Sequence, residues 1–449
     1  MTLLGSVQAT SLLVVLTESV LMKIKIHDKD LDYVLAKPRA KHKRPIRPNM
    51  FFRILMRAVA SLDLAKTHFK FEKVGMEKLG EGQNALYLMN HSSFIDLEIV
   101  ARMLFPKPFN IITTSDAFVG KELLLRHIGC IPTRKFVSDP TLVRDAIYAA
   151  KKLHSNVVLF PEAGYSFDGT ATTIPDSVGK FAKVLGLPVV MITTYGAFAR
   201  DPLYNNIQVR KVDVSAKMEY IISEDDLETK SVEELNSVIQ KNFSFDNFRW
   251  QNQNSVRISE PFRADYLERV LYKCPFCGAE GKMVGKGIRI ACEACGKAHI
   301  LTEYGRLARE DGKARFDFVS DWYKWERGCV REEIERGEYG FDLPVEIMMA
   351  VDNKRIYRVG EGRLSHSIDG FRLTDDSGRI NYEHKPLSSY SLNADFNWYE
   401  IGDIICIGNH EALYYCFPKA DRGIVAKARL ATEEIYKLLT EQKSVESKI

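Results

Sequence analysis

Apolar positions follow two rhythms along this chain. Between residues 68 and about 254, the largely apolar runs 84–89, 109–114, 156–160 and 188–194 predict short buried strands. The intervening stretches 95–104, 140–154 and 176–185 repeat at helical spacing. A short unbroken apolar run suits a strand buried on both faces, while an i, i+3, i+4 repeat suits a helix. Together they predict an α/β sheet domain. Ser231 with Glu234 three residues on reads as a capping box for a closing helix that runs toward Phe243. Ahead of the sheet, Phe51, Leu55, Ala58, Val59 and Leu62 recur at helical spacing and predict an amphipathic helix. Beyond it, 322–338 and 424–439 predict helices, separated by β-like runs at 356–358, 371–373, 380–382, 404–407 and 412–417 between Gly and Asp turns. No internal repeat is visible.

Composition sets the number of units. A chain of 449 residues exceeds what one core usually supports, so two or three domains are expected. The 45% apolar and 27% charged content is that of a folded globular protein. Net charge is only +4, yet Lys37, Arg39, Lys41, Lys43, Arg44, Arg47, Arg53 and Arg57 fall together with no acidic residue between Tyr33 and Leu62. Such a block argues for an anionic partner, membrane lipid or nucleic acid. The helix at 51–62 reads either as a core-packed first helix or as a membrane-docking one, and the two are compatible. The short apolar run 12–16 is followed at once by Glu18 and fits a secretory signal poorly; Met22 is an alternative start.

Directly after the strand at 84–89 stands Asn90-His91-Ser92-Ser93-Phe94-Ile95-Asp96. If Ser92 or Ser93 caps the following helix, the Asp96 carboxylate can fold back onto the His91 imidazole. A histidine held by a carboxylate through one ring nitrogen presents the other as a base, and its ordinary pKa of about 6.5 suits proton removal from a hydroxyl. Three later segments stand in the order and spacing of one known family. With that first block they resemble the lysophosphatidate (1-acylglycerol-3-phosphate) acyltransferases, over residues 51–243. The second block resembles Gly129-Cys130-Ile131-Pro132-Thr133-Arg134, the third Phe160-Pro161-Glu162-Ala163-Gly164, the fourth Leu187-Pro188-Val189-Val190. The resemblance implies His91 and Asp96 as the catalytic pair and Arg134 as a contact of the acceptor phosphate. It likewise implies Glu162, Gly164, Asn90 and Pro188 as substrate-binding residues. As residues alone, Arg134 and Lys135 could equally be solvated charge, and the Pro188 segment plain core. The family pattern continues Glu-Gly-Thr-Arg, whereas this chain has Glu162-Ala163-Gly164-Tyr165 and lacks that arginine.

Cys274 and Cys277 form one C-x-x-C pair and Cys292 and Cys295 another, each followed by a glycine. This is the arrangement of a zinc ribbon, and four thiolates leave no open position, so the zinc is expected to be structural. A redox pair is the rival reading. The basic residues of this stretch are compatible with nucleic acid, but solubilising charge explains them better. From about residue 317 the order of strands followed by a last helix looks like a pleckstrin-homology-like module, a likeness of element order only.

The expected architecture is therefore an α/β acyltransferase-like sheet domain flanked by helices, then a small zinc ribbon, then a mainly β domain ending in a helix. The expected boundaries are a basic arm over 1–50, the sheet domain over 51–254, the ribbon over 270–308 and the tail over 317–449. The resemblance implies transfer of a fatty acyl group from acyl-CoA or acyl carrier protein to the hydroxyl of a lysophospholipid such as 1-acylglycerol-3-phosphate, in phospholipid biosynthesis or remodelling. The expected partners are the acyl thioester donor, the lysophospholipid acceptor and an anionic membrane surface, with nucleic acid set aside. The expected place is the cytoplasmic face of a membrane, peripherally bound. The alternative is a non-catalytic lipid- or protein-binding scaffold on a degenerate acyltransferase domain.

Overall fold

The computed structural model describes residues 24–446 except 138, 173, 310, 420 and 421, so the apolar run at 12–16 and Met22 lie outside the described residues. The chain enters as strand β1 (Ile26–Asp28) and helix α1 (Leu31–Leu35), followed by α2 (Met50–Leu64). Then come β2 (Lys70–Val74), β3 (Leu86–Met89), α3 (Asp96–Leu104), β4 (Phe109–Thr114), α4 (Glu122–His127) and β5 (Cys130–Thr133). The unit continues through α5 (Pro140–Lys151), β6 (Asn156–Leu159), α6 (Ser177–Leu185), β7 (Val189–Tyr195) and β8 (Ser215–Ile222), and α7 (Val232–Phe243) packs against α6. The capping box of Ser231 and Glu234 is formed, each side chain satisfying the other residue's backbone amide.

The strands make one sheet in the order β2-β8-β7-β3-β6-β4-β5. Strands β7, β3, β6, β4 and β5 run parallel, whereas β8 is antiparallel to β7. Every residue of β3 is buried, as a central strand covered by helices on both faces requires. Gly129 leads into β5 with φ of 95°, and a Cβ there would meet the Phe109 carbonyl at 2.5 Å. Only glycine lets β5 approach β4 so closely.

Next, β9 (Met283–Lys286), β10 (Arg289–Cys292), β11 (Ala298–Leu301) and β12 (Leu307–Ala308) form a small antiparallel sheet around the four cysteines. The last part begins with α8 (Val319–Glu335). Its strands are β13 (Phe341–Ala350), β14 (Ile356–Ser367), β15 (Gly370–Asp375), β16 (Asn381–His384), β17 (Asn393–Trp398), β18 (Gly402–Gly408) and β19 (Leu413–Pro418), and it closes with α9 (Ile424–Glu446). The strands make two meanders joined by β13 pairing with β19, in the order β16-β15-β14-β13-β19-β18-β17.

The described part of the basic arm, from residue 24, packs against the rest of the chain. β1 pairs in parallel with the start of β14, and Leu31 and Val34 of α1 are buried in the core shared with the tail. Lys43 pairs with Glu122, Arg39 with Glu411, and His42 with Asp145. Two apolar side chains three residues apart, among the charges, suffice to anchor the segment. One contiguous core runs from Phe167, Phe198 and Phe248 of the sheet unit through Cys274 and Trp322 to Ile347 and Leu430 of the tail. The three parts thus pack as one body.

Candidate active site

The parallel strands end together, and the loops after them hold the candidate chemistry, where open α/β sheets place their ligands. His91 follows β3, Asp116 follows β4, Arg134 follows β5 and Glu162 follows β6. The His91 Nδ1 lies 2.8 Å from Asp96 Oδ2. The same oxygen accepts the backbone amides of Ser92 at 2.9 Å and Ser93 at 3.2 Å. The condition that a serine caps the helix is not met, because Ile95 stands at the cap position of α3 and gives no side-chain cap. Asp96, in the first turn, does the turning instead. Ser93 donates its hydroxyl to the buried Asp201, and the same oxygen accepts the Ile95 amide at 3.3 Å just ahead of the helix.

The Asp96 side chain is 2% exposed and that of His91 17%. One face of the imidazole stacks on Phe160 at 4.3 Å and the other on Tyr165 at 3.9 Å. With both faces covered and Nδ1 taken by Asp96, the remaining exposure belongs to the edge that carries Nε2. Burial pulls the His91 pKa below its ordinary value, opposed by the Asp96 carboxylate and assisted by the Lys135 charge. The ring is therefore neutral at pH 7 and can accept a proton.

The other expected contacts divide. Glu162 is buried, its Oε2 accepting the His91 amide at 2.8 Å and its Oε1 the Thr172 amide at 2.7 Å. Burial pushes its pKa up to about 7. Both oxygens hold loops in place, and one of those loops carries His91. Asn90 is engaged in the same way: its Oδ1 accepts the Thr194 amide at 2.8 Å and its Nδ2 donates to the Ser92 hydroxyl at 2.8 Å. It ties the end of β3 to β7. Pro188 is not brought to the site. Its carbonyl accepts the Leu86 amide at the opening of β7, the opposite end from Thr194; six residues of strand at about 3.3 Å each put it roughly 20 Å away.

Gly164 has open space where a Cβ would stand, so no close approach demands glycine there. Within the third block the left-handed residue is Ala163, at φ of 52°. Arg134 stands over the strand ends, and its guanidinium donates to the backbone carbonyls of Asn409 and His410 in the turn between β18 and β19. Sequence reasoning missed the two aromatic walls of His91. The signal for Tyr165 was present, because it occupies the place of the absent arginine in the third block.

The four cysteines are together, with their Sγ atoms within 4.8 Å of one another. Cys274 and Cys295 sulfurs lie 3.7 Å apart, as do those of Cys277 and Cys292. A disulfide needs about 2.05 Å, whereas thiolates about 2.3 Å from one zinc stand roughly 3.8 Å apart at the corners of a tetrahedron. The donor set fits a closed structural zinc site.

Residues 70–194 match the protein-family model described as Acyltransferase. That stretch runs from the start of β2 into β7 and contains His91, Asp96, Arg134 and Glu162. No curated protein matches the chain. Among solved structures, the 1-acyl-sn-glycerophosphate (LPA) acyltransferase PlsC from Thermotoga maritima is similar, with 15% sequence identity, 46% of this chain and 81% of that chain covered, and a TM-score of 0.36.

Proposed function

We propose that the chain is an O-acyltransferase that moves a fatty acyl group from an acyl thioester, acyl-CoA or acyl carrier protein, to the hydroxyl of a lysophospholipid such as 1-acylglycerol-3-phosphate. The observation that carries this is the His91–Asp96 pair at the end of β3, within the stretch that matches the acyltransferase model. His91 Nε2 takes the proton of the acceptor hydroxyl while its oxygen attacks the thioester carbonyl carbon. The C–S bond then breaks, and the imidazolium returns the proton to the leaving thiolate, giving ester and thiol. Asp96 fixes the ring and stabilises the imidazolium. No enzyme nucleophile is needed.

Arg134, with Lys135 beside it, is a cation at the strand ends for an acceptor phosphate, and in this reading the Asn409–His410 turn yields it when the acceptor enters. The membrane surface is read from α2. Phe52, Met56, Ala60 and Leu64 face the core, while Met50, Phe51, Ile54 and Leu62 are exposed beside the basic stretch, and Leu123 joins them at 75% exposed. An apolar helix face with cationic flanks suits the interface of an anionic membrane at its cytoplasmic side. Among the described residues no helix is long and apolar enough to cross a membrane. Cys274, Cys277, Cys292 and Cys295 would hold a zinc ion as a structural cross-link. The two meanders and closing helix support the pleckstrin-homology-like reading of the tail.

A second reading has its own observation. Arg134 is spent on tail carbonyls and the third block lacks its arginine, which is what a non-catalytic lipid- or protein-binding scaffold would show. A panel of lysophospholipid acceptors, each with radiolabelled acyl-CoA and acyl carrier protein, separates the two. The enzyme reading predicts a labelled diacyl product with at least one anionic acceptor. Binding to anionic vesicles without product from any pair would leave the scaffold.

A further inference from the structure

The loop that follows β6 is held from a distance of 264 residues. Tyr165, which stacks on the His91 ring at 3.9 Å and on Phe94 at 4.9 Å, has its carbonyl oxygen 3.0 Å from the Arg429 Nη1 that donates to it. Arg429 belongs to the closing helix α9, and its side chain is 4% exposed. Its guanidinium also lies 4.3 Å from the Phe167 ring centroid and pairs with Glu433 at 3.4 Å. Glu433 is itself anchored by Arg327 at 2.7 Å and by the Ser391 hydroxyl at 2.6 Å. A fully packed guanidinium with a fixed counter-ion has one geometry, unlike a solvated one. The residue after Tyr165 closes the circuit, the Ser166 amide donating to the His91 carbonyl at 3.1 Å.

We propose that Arg429 is a positioning residue for His91, acting through Tyr165: the tail's last helix fixes the loop whose aromatic ring closes one face of the base. This rests on His91 being the general base and assigns the tail a part in the site. Where the third block lacks an arginine, a guanidinium reaches the loop from another domain and binds backbone, leaving the position itself to an aromatic ring. The charged groups around His91 are Asp96 from α3, Lys135 from the loop after β5 and Glu162 beneath its amide, with Asp201, Asp116 and Asp395 acting on Tyr165. Removing the ring admits water to the imidazole and raises its pKa toward or above the ordinary value of about 6.5, because Asp96 remains.

The test is a histidine-selective NMR titration of the full-length protein, with the His91 signal assigned by its loss in His91→Gln. Tyr165→Phe is expected to titrate as the wild type. Tyr165→Ala and Arg429→Gln are each expected to raise the His91 midpoint by about one unit, with Arg429→Lys between, and the double variant no further than Tyr165→Ala alone. A folded Arg429→Gln with an unmoved midpoint would overturn the proposal. If Arg429→Gln does not fold, Arg429→Lys decides: an unmoved midpoint there, with Tyr165→Ala shifted, overturns the clamp. Because the titration needs no turnover, a shift in a protein that transfers no acyl group would uphold the positioning role while removing the general-base reading. In an active protein the acid limb of kcat/KM moves with the same midpoint.

Discussion

A base that works at neutral pH must be neutral before it reacts, and the side chains around His91 arrange this locally through burial, with Asp96 keeping the imidazolium accessible. Not all buried ionisable groups at this end of the sheet are so well matched. Glu98, one residue past Leu97 on α3, has its pKa pushed up to about 8, first by burial and then by the nearby Asp63 charge, with Arg200 opposing. Its Oε2 has no hydrogen-bond partner. The unfolded chain therefore ionises this carboxyl at lower pH than the folded one, so its contribution to stability is present below about 4.5 and lost as pH rises toward about 8. Glu98→Gln is expected to leave the urea midpoint at pH 4 nearly unchanged and to raise stability at pH 8.5 by roughly 3–4 kcal/mol. Equal effects at both pH values would refute this. At this scale the sequence displayed the His91–Asp96 pair, because both partners lie within one loop and one helical turn. It did not display the spending of Asn90 and Glu162 on backbone amides, since those amides belong to segments brought together only by the fold.

The elements divide in the same manner. The strands over 109–114 and 156–159 and the capped helix α7 were readable from local pattern, because each is a buried apolar run or a reciprocal cap. β13 was not, as Pro344 lacks an N–H and argues against a central strand, although it keeps the outward phase of the alternation; its carbonyl accepts the Lys419 amide. β17 was missed because Asn393, Asp395 and Asn397 read as turn residues, although they alternate with Ala394, Phe396 and Trp398 at a strand's period. α2 shows a third case: the expected stripe through Phe51 and Leu62 points outward, while Phe52, Met56, Ala60 and Leu64 meet the core. The helix is apolar on two faces, and a period alone does not say which is covered. For the cysteine-bearing sheet the account predicts one zinc per chain, and chelation that lowers Tm by several degrees while the four thiols become reactive. Metal content well below one equivalent, with Tm unaffected by chelator, would contradict a zinc site.

Over the whole molecule, the tail covers the ends of the strands on which the candidate chemistry stands. Trp398 donates to Asp116 at 3.2 Å, the Tyr390 hydroxyl to the Pro161 carbonyl at 3.3 Å, and Arg134 and Arg429 cross the same boundary in opposite directions. No local signal announces such pairings, because their partners are more than 200 residues apart. They run beside the core shared by all three parts, and in the proposed reading an acceptor competes with backbone carbonyls for Arg134. The central claim remains that His91 removes the acceptor's proton. Its most direct test is single-turnover acyl transfer to 1-acylglycerol-3-phosphate by the wild type and by His91→Ala, matched for fold and vesicle binding. The account predicts product from the wild type and a loss of at least about 100-fold in the variant; equal rates in the two proteins would contradict it.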